Sequence, residues 1–220
     1  MLITKIEQQK RHSHRVNVYL DDEFAFGLHI DVLTAFGLKK GDHLSQEAID
    51  AMLSREEFTL AKEQALRYLG YRRRTEKELR NKLFEKEFDP ATIDAVIAYL
   101  SGLGIINDVE FAKSFIHDAR LRKPLGKRLL RQKLRLKGVP APIIETTLNE
   151  NVSENEEQIL AMEEAMKVVK RYRTSRKAVE QQKQQQRLAQ HLARRGFSWA
   201  TIFPVLKQVF KSEAPLGVKE

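Results

Sequence analysis

The 220-residue chain contains no cysteine, which excludes a disulfide framework and zinc–thiolate sites and fits a reducing compartment. It has one tryptophan and six prolines. No stretch approaches the roughly 20 consecutive apolar residues of a membrane span, and the N-terminal MLITKIEQQKRHSHRVNVYLDDE lacks the apolar run of a secretory signal. A cytoplasmic protein without a membrane anchor is therefore expected. Catalytic patterns are also missing: the six histidines are scattered with no HExxH spacing, and no GxSxG or paired-carboxylate constellation stands out. The LGK at 125–127 hints at a phosphate loop, but Leu121 replaces the leading glycine and Arg128 the Ser/Thr. His12 and His14 alternate on a predicted strand without a visible third ligand. We expect no enzyme, no metal and no cofactor.

What the chain has in excess is positive charge. Thirty-nine Lys and Arg against thirty Asp and Glu give a net charge of +9. The excess is uneven: residues 1–60 carry seven basic and ten acidic side chains, a net of −3, leaving +12 for the remainder. Such a balance favours polyanions or an acidic protein surface as partner.

Residues 2–29 read as a three-stranded antiparallel meander: ITKIEQ and HRVNVYL alternate, Asp21-Asp22-Glu23 is turn-like, and FAFGLHI follows. Short helices are predicted at 30–36 and 45–53. From residue 54 the periodicity is helical. Thr75 with Glu78 and Ser153 with Glu156 have capping-box spacing, Asp89-Pro90 supplies an N-cap followed by proline, and Ser198 opens another apolar run.

Self-comparison reveals a repeat. Leu79, Leu83, Phe88 and Ile93 are spaced by four, five and five residues, as are Leu130, Leu134, Val139, Ile144 and then Leu188, Leu192, Phe197, Ile202. Ile97, Leu148 or Leu206 follows each final Ile by four. A preceding helix is expected in each copy, at 56–69, 108–121 and 155–180. The predicted fold is mainly α: three tandem three-helix repeats at 56–106, 107–152 and 153–220, forming an elongated module after a β-rich region at 1–55.

The repeat is an internal control, because residues needed by the fold should recur. Lys86, Lys137 and Arg195 recur near a helix end, where a cation favours the helix dipole. The stretch RLRKPLGKRLLRQKLRLKG at 120–138 is different: it holds nine Lys or Arg and no acid. With Leu130 and Leu134 facing the core and Leu129 and Leu136 on its shoulder, Arg128, Arg131 and Arg135 form a stripe facing away. Their counterparts are Lys77, Arg80 and Phe84 in the first copy and Gln186, Ala189 and Ala193 in the third. The stripe shows no compensating acid, so it is either a ligand contact or a solvated face, and ligand contact is expected. Arg120, Arg122, Lys123 and Lys127 extend it. Arg72, Arg73, Arg74 and Lys77 form a second cluster, and Lys170, Arg173 and Lys177 share one face of the last long helix. Tyr68, Tyr71 and Tyr172 stand beside these cations, to stack on a partner or to pack in the core.

ALRYLGYRRRTEKELRNKL, LGIINDVEFAKSF and RLRKPLGKRLLRQKLRLKGV closely resemble the RecX family of regulators of the RecA recombinase, and ARRGFSWATIFPVL resembles the family's last repeat. Asn107-Asp108 stands where many members carry an acidic pair; Asn still caps a helix. The resemblance implies a monomeric regulator of recombination and DNA repair, bound in the groove of the RecA–single-stranded DNA filament and bridging its subunits. Its effects would be blocked filament growth and reduced ATP hydrolysis, strand exchange and co-protease activity. The alternative is a direct DNA-binding protein whose helix pairs act like helix-turn-helix units.

Overall fold

The computed structural model describes residues 1–122, 124–174 and 181–211, without the side chains of Arg122, residues 172–174 and Lys211. They form two compact units, which divide between Ile106 and Asn107.

The first unit opens with the expected meander of β1 (Ile3–Gln8), β2 (Arg15–Leu20) and β3 (Glu23–His29), antiparallel in that order. Asp21 and Asp22 both take positive φ, 50° and 69°, the conformation a two-residue hairpin turn demands and Asp tolerates. Alternation on β2 sends Val16, Val18 and Leu20 into a core with Leu28, Ile49 and Met52. His12 and His14 precede β2 and lie in the connection between β1 and β2, not on a strand as the alternation predicted. After α1 (Ile30–Ala35), the helices expected at 45–53 and 56–69 are one helix, α2 (Gln46–Leu69). No Gly or Pro interrupts residues 46–69, so nothing terminates the helix, and Ser45 caps its start with its side chain accepting from Ala48 N. Its first half packs on the sheet through Ile49 and Met52, and its second on α3 (Glu76–Phe84) and α4 (Pro90–Gly102) through Ala61 and Ala65. The expected boundary at 55/56 thus falls inside a helix.

The second unit contains α5 (Asp108–Arg122), α6 (Lys127–Lys137), α7 (Ala141–Asn151), α8 (Glu154–Thr174), α9 (Gln181–Arg194) and α10 (Trp199–Lys211). Asn107 caps α5 with its side-chain oxygen 3.0 Å from Glu110 N. Ser153 and Glu156 complete a reciprocal capping box, Ser153 N donating to Glu156 Oε2 at 2.9 Å and Glu156 N to Ser153 Oγ at 3.2 Å. The last part of the helix expected at 155–180 lies outside the described residues.

The leucine frame is the core of all three repeats. Leu79, Leu83, Leu130, Leu134, Leu188 and Leu192 are all 0% exposed. Its four-five-five spacing has a local cause. Phe88, Val139 and Phe197 donate their backbone N–H to Leu83, Leu134 and Leu192, five residues back, at 3.4, 3.1 and 3.2 Å. That is the Schellman helix ending, which brings the two apolar side chains together and places the intervening residue in the left-handed region. Glu87, Gly138 and Gly196 fill that place with φ of 62°, 89° and 87°. The same apolar residue precedes the next N-cap (Asp89, Pro140 or Ser198), and the Ile five positions on begins that helix's hydrogen bonding. It therefore also acts as the hydrophobic staple of the following helix.

Gly126 is required for its small volume and not for backbone freedom. Its φ of −73° is open to any residue. A Cβ there would lie 2.3 Å from the Gly196 carbonyl, and one on Gly196 would lie 2.3 Å from Leu129 Cβ. Gly126 N donates to Arg195 O at 3.0 Å and Arg128 N to Gly196 O at 3.1 Å, so these two glycines let the second and third repeats meet backbone to backbone.

Candidate partner and nucleic-acid interface

The basic side chains separate into those spent on the fold and those left over. In the second repeat Arg131 forks onto Glu145 of α7, Nε to Oε1 at 2.6 Å and Nη2 to Oε2 at 2.8 Å. This hydrogen bonding raises the Arg131 guanidinium and pulls the Glu145 carboxyl below its ordinary value. In the first repeat Arg80, the equivalent residue, bonds Glu76 at 2.7 Å and bridges to Asp94, the equivalent of Glu145. The stripe's central arginine therefore does have a compensating acid. It sits on the next helix, where inspection of a single helix face cannot find it, and its recurrence marks the pair as structural.

Other cations are similarly engaged. Arg120 donates to Asn151 O at 2.9 Å and Glu156 Oε1 at 3.0 Å, fastening α5 to the α7–α8 junction. Arg72 pairs with Glu78 at 3.1 Å, and Arg74 lies 4.1 Å over the half-buried Tyr68 ring. Arg195 reaches Pro124 O at 2.7 Å across the contact between second and third repeats. Lys170 is exposed and has a partner of its own. Lys123 and Lys177 lie outside the described residues, as do the side chains of Arg122, Tyr172 and Arg173, so the face expected of Lys170, Arg173 and Lys177 falls largely outside them.

What remains is a smaller set. Arg73, Lys77 and Arg128 are exposed, and among the described residues none forms an ion pair. Arg135 is exposed too, near enough to Glu145 to lower its pKa further. Lys77 and Arg128 hold equivalent positions in the first turns of α3 and α6. A cation there opposes the helix dipole by about 0.3–1 kcal/mol. In α3 Glu76 and Glu78 flank Lys77, whereas the first turn of α6 contains no acid. Glu157 supplies one from α8, accepting from Lys127 N at 2.9 Å. Lys127, Arg128 and Arg131 line a cleft of about 360 Å³ with Glu157, Gln158 and Thr201. With Lys127 N on Glu157 and Arg128 N on Gly196, the amides that a phosphate loop would offer are taken, and the LGK hint fails on geometry as well as sequence.

Most of the chain aligns with known proteins. Family models match residues 1–45 (regulatory protein RecX N-terminal domain), 61–100, 107–148 and 161–206 (the first, second and third three-helix domains of RecX). The regulatory protein RecX of Clostridium acetobutylicum is 34% identical over 94% of this chain and 96% of its own. The chain belongs to the RecX family. The Bacillus subtilis member is 33% identical over 94% of this chain and 76% of its own. A crystal structure of a regulatory protein RecX superposes with a TM-score of 0.75 at 30% identity, covering 96% of this chain and 99% of that one. A RecX from Lactobacillus salivarius, 24% identical, shares the fold with a TM-score of 0.65 over 71% of this chain and 99% of its own.

Sequence reasoning missed several exposed apolar groups on this RecX framework. Leu136, placed on the core shoulder by the helix wheel, is 76% exposed, and Tyr71 beside the arginine cluster is 81% exposed. Trp199 and Phe203 stand on the surface of α10 with ring centroids 5.4 Å apart. Phe203 occupies the position of Asp94 and Glu145, so an aromatic aligned with two acids at a solvent-facing place was the available signal.

Proposed function

We propose that this chain regulates the RecA recombinase by binding in the helical groove of the RecA–single-stranded DNA filament. It bridges neighbouring subunits, limits filament growth and thereby lowers ATP hydrolysis, strand exchange and co-protease activity. It acts as a cytoplasmic monomer, without catalysis or cofactor. Membership of the RecX family supports the target. The observation that carries the site is the pair Lys77 and Arg128: equivalent in two repeats, exposed, without an ion-pair partner among the described residues, and dispensable enough to the fold to be Gln186 in the third. Arg73 precedes Lys77 by four residues, and Arg135 follows Arg128 two turns along α6. Tandem helical repeats offer the same side-chain positions again and again, which suits a partner that is itself a repeating polymer. Arginine is matched to the carboxylates of an acidic protein surface and to phosphate alike.

The decisive assay is RecA ATPase on single-stranded DNA at 50 and 200 mM salt, with wild type, Arg128→Gln/Arg135→Gln and Arg73→Gln/Lys77→Gln. The variants should weaken inhibition while leaving the helical circular dichroism unchanged; undiminished inhibition by both would remove these residues from the interface. Direct DNA binding is the competing reading, favoured by the exposed Tyr71 beside Arg72 and Arg73. It predicts tight binding to naked DNA that alone accounts for inhibition and falls by about 10³–10⁵ between those salt concentrations if some 6–10 phosphates are contacted.

A further inference from the structure

The N-terminal region has no part in that reading, yet it carries a constructed basic cleft. Residues 1–60 are net acidic, but Lys10, Arg11, His12, His14 and Arg15 fall within six residues, and no acid occurs between Glu7 and Asp21. This segment connects β1 to β2. Its backbone is tied down: Gln9 N donates to Arg15 O at 2.9 Å, Arg15 N to His12 O at 3.0 Å, and Ile30 N to His14 O at 2.9 Å. Gln8 Nε2 adds a bond to Ser13 O at 2.7 Å. The side chains therefore project from a fixed frame. They face the C-terminal part of α2 across a cleft of about 580 Å³ whose other wall includes Leu60, Glu63, Leu66 and Arg67.

Several charged groups there are already matched. Arg15 reaches the buried Glu56 at 2.7 Å, and Glu56 also accepts from His29 N at 2.6 Å. His29 Nδ1 accepts from Asp31 N at 3.2 Å, which leaves the proton on Nε2 to face Glu63 Oε1 at 3.2 Å. Glu63, the one acid on this wall among the described residues, is thus met by a donor. Arg11, His12, His14 and Arg67 are exposed, and among the described residues none of them forms an ion pair. The His14 ring stacks on His29, centroids 6.1 Å apart and planes within 13°. No group of three ligating side chains converges around these histidines among the described residues.

We propose that this cleft is a contact site for a single-stranded nucleic acid, Arg11 and Arg67 taking backbone phosphates and the His14 face and Leu66 taking a base or sugar. Two exposed guanidiniums, one on the β1–β2 connection and one on α2, offer contacts to two anionic groups of a polymer, and the opening is larger than one phosphate needs. A flat imidazole pair and an apolar leucine lining the same cleft suit the faces of bases, which stack on histidine as on other aromatic rings. An acidic peptide would use the arginines but has no planar group for the rings.

The test uses the full chain without RecA, so its failure is separate from failure of the recombinase reading. Imidazole ring signals are followed by nuclear magnetic resonance while a short oligothymidylate is added; His43, His117 and His191, which do not line the cleft, serve as internal references. We expect the His12 and His14 signals to shift along a common saturation curve, and the shifts to vanish in Arg11→Gln/Arg67→Gln, a variant with the wild-type melting curve. In a parallel fluorescence-anisotropy titration, the double variant should reduce the slope of log affinity against log salt by about 1.4, about 0.7 for each single-strand phosphate that it no longer neutralises. Unmoved His12 and His14 signals overturn the proposal. So do equal shifts with polyglutamate at the same ionic strength, which would assign the cleft to an acidic protein, or equal saturation by inorganic phosphate, which would make it a simple anion pocket.

Discussion

Replacing Gly126 with alanine tests the contact between the second and third repeats. The new methyl carbon would lie 2.3 Å from the Gly196 carbonyl carbon and oxygen and 2.4 Å from Phe197 N. Ordinary contacts between such atoms are about 3.5–4 Å, so the two backbones must part by more than about 1 Å. Nothing on the opposing side can rotate away, because all three atoms are backbone. Both hydrogen bonds that cross the spot, at 3.0 and 3.1 Å, would then be stretched past useful length. Each contributes about 1 kcal/mol, and leaving buried amides and carbonyls unmatched adds a further penalty. The expected loss is about 2–4 kcal/mol. With a urea dependence of roughly 2 kcal/mol per molar, the midpoint followed by circular dichroism should fall by about 1–2 M. Gly102 is the control: a Cβ there meets nothing within 4 Å, and alanine at this helical position should be neutral or stabilising by up to about 1 kcal/mol. A loss below about 0.5 kcal/mol for Gly126→Ala would refute the argument that close backbone approach requires this glycine.

Three further outcomes follow from the geometry. A double-mutant cycle of Arg131→Gln and Glu145→Gln should give a coupling of about 0.5–1 kcal/mol in thermal or urea unfolding, the upper range for a forked but partly exposed pair; zero coupling would return Arg131 to the ligand-facing set. Glu87→Gly should stabilise by about 0.5–1 kcal/mol, since Glu87 is the one side chain held where the other repeats use glycine, and an unchanged melting temperature would count against that strain. The Ser153 amide, Arg120 and the Ser153 hydroxyl hold Glu156 at about 2, below its ordinary 4.5. Because the folded value lies below the unfolded one, its stabilising contribution is complete above pH 4.5 and is lost as pH falls toward 2. Glu156→Gln should flatten that limb of the acid-unfolding curve, and an identical limb would disprove the linkage.

The repeats were legible because their spacing is set by local chemistry. A Schellman ending demands an apolar residue five positions beyond the last core leucine, and a staple demands another five positions on. Both demands act within about ten residues, so they leave a mark on any single copy that the other copies confirm. The continuous α2 was less legible. Its two halves bury different faces against different partners, Ile49 and Met52 on the sheet and Ala61 and Ala65 on helices, so the apolar period loses phase at the middle and imitates a break. The role of Gly126 was hidden for a related reason. Glycine before a helix commonly reports backbone freedom, and only the approach of Gly196, seventy residues away, reveals that it is lack of volume that matters.

The candidate interface depended on a comparison that was right in principle and incomplete in execution. Asking which charges recur among repeats separates fold from ligand only when the charges are tracked as pairs. Arg131 taken alone, with Arg80 before it and Ala189 after it, reads as a cation lost from the third copy. Taken with the residue fourteen positions later, the series becomes Arg80 with Asp94, Arg131 with Glu145, and Ala189 with Phe203. The charge and its partner vanish together, leaving a buried Ala189 and a surface Phe203, as two residues that serve one another would. Lys77 and Arg128 behave otherwise: neither forms an ion pair among the described residues, no acid follows either of them fourteen positions on (Ala91 and Pro142), and Gln186 takes their place in the third copy. An exposed cation that forms no ion pair and is neutral in another copy is not held by the fold. That asymmetry, more than the density of arginine in residues 120–138, is what marks the start of α3 and α6 as the surface to test.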